Sequence, residues 1–443
     1  MFNTIKSALK IPQLRKRLWF TLMMMIVFRF GAHVPVPFLT RDAMQAFMSG
    51  GADLFSLFDV FTGGAFANAT VMALGVSPYI NASIIVQLLA VAIPALERLT
   101  KEGVEGRKKI NRITRYLGIV LAFVQGAGLY VTLHNISVTS GITAIKQESA
   151  LTFFIITLTF TAGTAFIVWL GELITEKGIG NGVSLIIFAG IVSRIPTAAV
   201  SIYNNYLVSG VRSMKNVALA VAIVVIAIAA IVLVVMFDSA ERRIPVQYAK
   251  RVVGRKMYGG QSTNIPIKVV SGGVMPIIFA SSIMAFPATI VRLATGNNLP
   301  SSGVWYRVLG CFAASYGPSW TDIVYAALYF LLIIFFTYFY SAIQFNPIEM
   351  ANNMKKSGGY IPGYRPGKPT SDYISKVSTR LNLAGAIFLG IIAVLPIIIG
   401  SVFNISGMQI GGTSLLIMEG VALESVRQIE SQMIMRNYKG FLE

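Results

Sequence analysis

From Val217 to Phe237 the sequence is apolar without a break. As a helix rising about 1.5 Å per residue, such a run is about 30 Å long, which matches the hydrocarbon thickness of a bilayer. A helix that is apolar on every face is either buried in the core of a large protein or spans a membrane. The same test along the chain gives ten stretches, at roughly 18–36, 71–93, 113–133, 151–171, 181–200, 216–237, 270–292, 322–344, 378–400 and 407–428. Charged residues make up 12% of the chain and hydrophobic residues 55%, against about 25% charged in a soluble domain. That composition excludes an ordinary globular enzyme, which could not cover its surface, and it excludes disorder. The expected class is an all-α polytopic membrane protein with ten transmembrane helices.

A net charge of +19 sits oddly on so apolar a chain. Its distribution explains it. Of the 37 Lys and Arg, only Arg29, Arg41, Lys146, Arg194, Arg212, Lys215, Arg292 and Arg307 lie at span ends or in the odd-numbered connections. The other 29 fall in the terminal tails and the alternate connections. The positive-inside rule then places both termini in the cytoplasm. Lys6, Lys10 and Arg15 to Arg17 before the first apolar run imitate a secretory signal. With no small-residue cleavage site after the run, it reads as an uncleaved first span.

Ten spans divide into 1–200 and 216–443, joined by a connecting hinge loop at 201–215. Five spans per half would make the second half inverted relative to the first. Asp53 to Gly64 is apolar and aromatic but too short to span, with Gly pairs on both sides. It reads either as a surface or re-entrant helix or as a movable stopper. Two cytoplasmic connections stand out, at about 238–269 and 345–377. The first interleaves Val246, Tyr248, Val252 and Val253 with Arg242, Arg243, Lys250, Arg251, Arg255 and Lys256, as two short strands around a turn near Gly254 would. The second presents Arg365 among Pro362, Pro366 and Pro369, a rigid loop. These cations suit anionic lipid headgroups, or an acidic partner such as RNA phosphate or a protein face. No catalytic constellation stands out, and Cys311 with His33 and His134 cannot make a metal site. GIGNG at 178–182 reads as a tight connection between helices.

Several long motifs occur in order: FRFGAHVPVP (28–37), FTGGAFANATVMALGVSPYINASIIVQLL (61–89), KEGVEGRKKINRITRY (101–116), GELITEKGIGNGVSLIIFAGIV (171–192), YAKR with GRKMYGGQST, GGVMPIIFASSIMAFPATI (272–290), FNPIEMANNMKKSGGYIPGYRPGK (345–368) and GGTSLLI (411–417). In these the chain resembles the SecY family, pore-forming subunits of the bacterial protein-conducting channel. The resemblance implies two pseudo-symmetric, inverted five-helix halves around a central hourglass pore, in the bacterial cytoplasmic (inner) membrane, with no cofactor. Unfolded secretory polypeptides would cross the pore, and transmembrane segments would leave through a lateral gate.

The family's plug falls on about 53–68, drawing on Asp53, Leu54, Phe55, Leu57, Phe58, Val60, Phe61, Gly63 and Gly64. Its aliphatic pore ring carries over to Val76, Ile80, Val183, Ile187, Ile278 and Ile417. A greasy collar offers ions no coordination, yet it can part around an extended chain. The lateral gate would lie between spans two and three and spans seven and eight, with Asn81, Gln87, Gln125, Ser281 and Ser282 along it. Implied partners are SecE, SecG, signal sequences and nascent chains. SecA and the ribosome, with possible rRNA contact, would dock on Arg242, Arg243, Lys250, Arg251, Arg255, Lys256 and Arg365. Nucleotide hydrolysis would belong to SecA, and the channel itself would be no enzyme. The competing class is a secondary transporter of a small solute, for which the aliphatic centre and basic projections are poorly suited. Glu419 departs from the family, which carries an aliphatic residue there. At a lipid-facing midplane a carboxylate costs about 2.5 kcal/mol or more, so the expected response is a raised pKa, a polar partner or a view into the water-filled funnel.

Overall fold

The computed structural model describes residues 7–41, 44–45, 59–140, 143–203, 214–248, 251–253, 256–258, 262–270, 272–295, 304–312, 319–403 and 411–437. Helices dominate, and each of the ten apolar stretches coincides with one. The order begins α1 (Pro12–Gly31), α2 (Ser77–Ala92), α3 (Pro94–Lys101), α4 (Val104–Ser140), α5 (Ala150–Lys177), α6 (Gly182–Tyr203) and α7 (Met214–Ser239). Four strands follow, β1 (Glu241–Tyr248), β2 (Arg251–Val253), β3 (Lys256–Tyr258) and β4 (Ser262–Lys268). Then come α8 (Met275–Thr295), α9 (Val304–Gly310), α10 (Ser319–Gln344), α11 (Pro347–Lys356), β5 (Gly359–Tyr360), α12 (Lys368–Phe403) and α13 (Gly411–Asn437). Among the described residues four helices are by themselves long and apolar enough to cross a membrane, and a bent pair makes a fifth.

The outer surface confirms the solvent these helices are built for. Val221, Val224, Val225, Ile228, Val232 and Met236 of α7 are all exposed, a row that water would penalise and lipid tails would not. Several hydroxyls are satisfied inside their own helices. Thr159, Thr161 and Thr175 of α5 donate to carbonyls four residues back, at 2.6, 2.8 and 2.8 Å.

The second span differs from the sequence reading. It was expected from about residue 71, but residues 62–76 form turns and the helix begins at Ser77. Gly75, at φ 57°, holds a left-handed conformation that an α-helix excludes. At the other end α2 and α3 meet at 106°. Pro94 forces Ile93 into extended backbone (φ −106°, ψ 114°), which ends α2 there.

The two basic connections fold as one body. β1 pairs antiparallel with β4 along its length, and its last two residues pair with β5, so Gln247 meets Tyr360 and Tyr248 meets Gly359. β2 and β3 form the two-stranded hairpin that the sequence placed around Gly254. Beneath the larger sheet Ile244, Val246, Ile267, Met354, Ile361 and Ile374 make a separate buried cluster. Asn346 caps α11 by accepting from the Ile348 and Glu349 amides at 3.2 and 3.3 Å.

Candidate functional site

The six residues expected to form the ring come from four helices and the turn before α2. Val76, Ile80, Ile187, Ile278 and Ile417 are all buried, and Val183 packs against the same apolar cluster. Val60 and Phe61 pack against that cluster too. One continuous aliphatic body therefore links the middle of the molecule to the short segment that precedes α2.

That segment is held by polar contacts the sequence reading did not anticipate. Asp53, Leu54, Phe55, Leu57 and Phe58 lie outside the described residues, which resume at Asp59. Asp59 is 1% exposed, and its carboxylate forms an ion pair with Arg194 of α6. Its Oδ1 also accepts from the Ala67 amide at 2.8 Å, and its carbonyl accepts from the Gly64 amide at 2.9 Å. Arg29, in the last turn of α1, donates to the Gly63 carbonyl at 2.6 Å. Gly63 and Gly64 have φ of 66° and 90°, so the chain turns here in a left-handed conformation. A Cβ on Gly63 would lie 3.1 Å from the Gly190 Cα, and one on Gly190 would strike the Phe61 carbonyl. Backbone thus meets backbone between this turn and α6. Downstream, Val36 donates to Ala69 at 2.9 Å and Val71 to Val34 at 2.9 Å, tying the segment to the chain after α1.

The seam between α2 and α10 is closed by one strong contact. The Tyr340 hydroxyl donates to Gln87 Oε1 at 2.6 Å, and Gln87 Nε2 donates to Ser83 at 3.0 Å. Among the described residues the predicted polar seam is otherwise not knitted by hydrogen bonds. Ser281 donates to the Ile278 carbonyl of its own helix at 2.9 Å. Asn81, Gln125 and Ser282 are half-buried and make no hydrogen bond across the seam among the described residues. Small side chains serve close approach here more than bonding, since α8 packs against both α2 and α4.

On the joined sheet Arg242 and Arg243 are exposed, and Arg243 Nε reaches Glu241 at 2.8 Å. Arg365 is exposed as well, on a loop stiffened by Thr370 donating to its carbonyl at 2.8 Å and by Tyr364 stacked on Tyr373 at 4.2 Å. Arg251 and Lys256 lie on the hairpin strands. Lys250 and Arg255 lie outside the described residues.

Glu419 is buried among the described residues. It is 7% exposed, and Oε1 has no hydrogen-bond partner among the described residues. It lines a cavity of about 20 Å³ with Asp238, Val274, Ile277, Leu389 and other apolar neighbours. That is room for one water. Asp238 itself is taken by Arg427 at 2.9 Å.

Arg29, Asp59, Arg194 and Tyr340 are the residues that sequence reasoning passed over. A signal existed for the arginines, because both sit at the ends of apolar spans on the side poor in cations. A cation so placed calls for an acidic or carbonyl partner.

The sequence pattern of the SecY family matches residues 70–426. The chain is 44% identical over 454 residues to the protein translocase subunit SecY of Mycobacterium bovis, covering all of both chains. It is 44% identical over 446 residues to that of Halalkalibacterium halodurans, again over the full length of both. Among solved structures it is similar to a protein-conducting channel, with TM-score 0.65 at 20% identity over 95% of this chain and 93% of the other. It is also similar to Sec61 in the canine ribosome–channel complex, with TM-score 0.61 at 19% identity over 95% of this chain and 93% of the other. A further match, with TM-score 0.62 at 21% identity over 95% of this chain and 92% of the other, comes from work on the SecY plug domain, which stabilises the closed state of the translocation channel and maintains a membrane seal.

Proposed function

Because the chain belongs to the SecY family, we propose that it is the channel subunit that carries unfolded secretory polypeptides across the bacterial cytoplasmic membrane and releases transmembrane segments sideways into lipid. It is a multi-pass membrane protein, read here with both termini in the cytoplasm and with 1–200 and 216–443 as the two halves around the pore. The observation that carries the reading is the aliphatic centre. Val76, Ile80, Ile187, Ile278 and Ile417 are buried in one apolar cluster that Val183 packs against. A solute site would need converging polar groups at that place. A collar of branched aliphatics instead excludes hydrated ions while tolerating any side chain that passes.

The gate of this reading runs between α2 and α4 on one side and α8 and α10 on the other, with Gln87 and Tyr340 bonded across it. An apolar signal sequence entering the seam competes with that bond and with the packing of α8. SecE and SecG are the partner subunits of this reading. The joined sheet, with Arg242, Arg243 and Arg365 exposed, is the assigned docking platform for SecA and for the ribosome and its rRNA. Anionic lipid headgroups compete for the same cations. Energy enters through these partners, since SecA hydrolyses the nucleotide and the channel subunit contributes no catalysis of its own.

The test is chemical cross-linking of a stalled, translocating chain to single cysteines placed at 80, 187, 278 and 417 in a variant with Cys311 replaced by Ser. Adducts at these positions and none at a lipid-facing control such as 225 are expected. If all four positions stay unlabelled while export proceeds, the proposed pore is wrong.

A further inference from the structure

Beyond the channel reading, on which this inference rests, the geometry points to a charge latch that holds the stopper shut. Arg194 and Arg29 are its positioning residues, and Asp59 is the catch. Three observations converge on it. Asp59 is 1% exposed and its carboxylate faces Arg194, whose side chain is 34% exposed. Arg29 reaches from α1 to the Gly63 carbonyl at 2.6 Å. Gly63 and Gly190 bring the stopper's turn to within backbone contact of α6. These groups lie beside Val60 and Phe61, which pack on the cluster containing the ring. The chain thus has one polar and one apolar hold on the same few residues.

The two holds differ in kind. The apolar contact is non-directional and survives small displacements. The charged contact is steep, because lifting Asp59 from Arg194 strands a carboxylate that only the Ala67 amide still serves. A latch of this sort keeps the stopper in one place until the turn moves as a unit. The turn is built to do so, with Asp59 bonded to Gly64 and Ala67, and Asn68 Nδ2 donating to the Gly64 carbonyl at 2.8 Å.

The partners are not equivalent. Arg194→Gln leaves the buried carboxylate without its cation and is the stronger lesion. Asp59→Asn keeps an oxygen for the Ala67 amide and leaves behind an arginine that is already one-third exposed. Arg194 is therefore expected to be the more sensitive position, and the charge-swapped pair Asp59→Arg with Arg194→Asp is expected to recover part of the loss.

The experiment uses the full channel with its partner subunits in planar bilayers and in vesicles. Resting ion conductance and export of a precursor with a crippled signal sequence are measured alongside export of the intact precursor. Arg194→Gln is expected to raise resting conductance and crippled-signal export by roughly tenfold, Asp59→Asn by less, and the swapped pair to fall back toward the wild type. Intact precursor export and the yield of assembled complex report folding. Resting conductance equal to wild type in a well-assembled Arg194→Gln channel overturns the latch and leaves the channel reading standing. Absence of precursor export by the wild type overturns both. Should Arg194→Gln fail to assemble, Arg29→Gln and Asp59→Asn decide the matter by the same two readouts, with unchanged conductance in both counting against the latch.

Discussion

Tyr340 shows how much one hydroxyl carries when the seam around it is nearly free of hydrogen bonds. Its bond to Gln87 at 2.6 Å joins α2 to α10, and in an apolar setting such a bond contributes about 0.5–1.5 kcal/mol net. Tyr340→Phe keeps the ring packing and strands Gln87 Oε1. The closed gate should lose about that much, and precursors with weakened signal sequences should be exported several-fold faster. A reporter assay with graded signal hydrophobicity checks this, and an unchanged threshold would show that the bond does not govern opening. Only half of this contact was legible in the sequence. Gln87 announces itself as an amide inside an apolar span, whereas Tyr340 is one aromatic among many in a Phe- and Tyr-rich helix. Nothing in a linear pattern says which tyrosine faces an amide more than two hundred residues away. The pairing of Asp59 with Arg194 was hidden for the same reason, since an ion pair is a statement about two distant positions at once. Glu419 was legible as an anomaly, but the cavity it lines with Asp238 was not.

At the level of elements, helices were the easy part. A bilayer demands about twenty apolar residues wherever it is crossed, and ten stretches that meet the demand became ten helices. Their ends were harder, because Gly75 and Pro94 overrule hydropathy at the borders of α2. The hairpin near Gly254 was legible from its alternation of apolar and basic residues. The joining of the two basic loops was not, because β5 is only two residues long and carries no strand signature. Val246, fully buried under the sheet, tests that joining. Val246→Asp places a carboxylate in the small cluster with Ile244, Ile267 and Ile361, at a cost of several kcal/mol. Limited proteolysis should then cut within 241–268 and 355–367, while the transmembrane helices keep their melting behaviour. Resistance to protease equal to wild type would mean that the two loops do not depend on that core.

Across the whole molecule, the GIGNG turn is tied both to α1 within the N-terminal half and to α13 of the C-terminal half. Ile179 donates to Thr21 of α1 at 3.1 Å, and Gly180 donates to Gln428 of α13 at 2.8 Å. The turn is the connection between helices that its glycines suggested, and it also serves as a meeting point for three chain segments. Gln428→Leu orphans the Gly180 amide at a cost of about 1–3 kcal/mol. The purified channel should melt a few degrees lower, as read by tryptophan fluorescence in detergent. An unaltered melting point would mean that water replaces the amide without loss.

The placement of the stopper has one more consequence. Arg29, Asp59, Gly190 and Arg194 all belong to the chain before residue 204, whereas the Gln87–Tyr340 bond bridges early and late helices. The two closures share no residue and respond to different displacements. A thermal fluctuation that parts the helices at the seam carries the stopper along with its own anchors. Accidental leakage then requires two independent rare events to coincide, and the product of two small probabilities is far smaller than either. A membrane that stores its energy as an ion gradient can tolerate a wide pore on those terms.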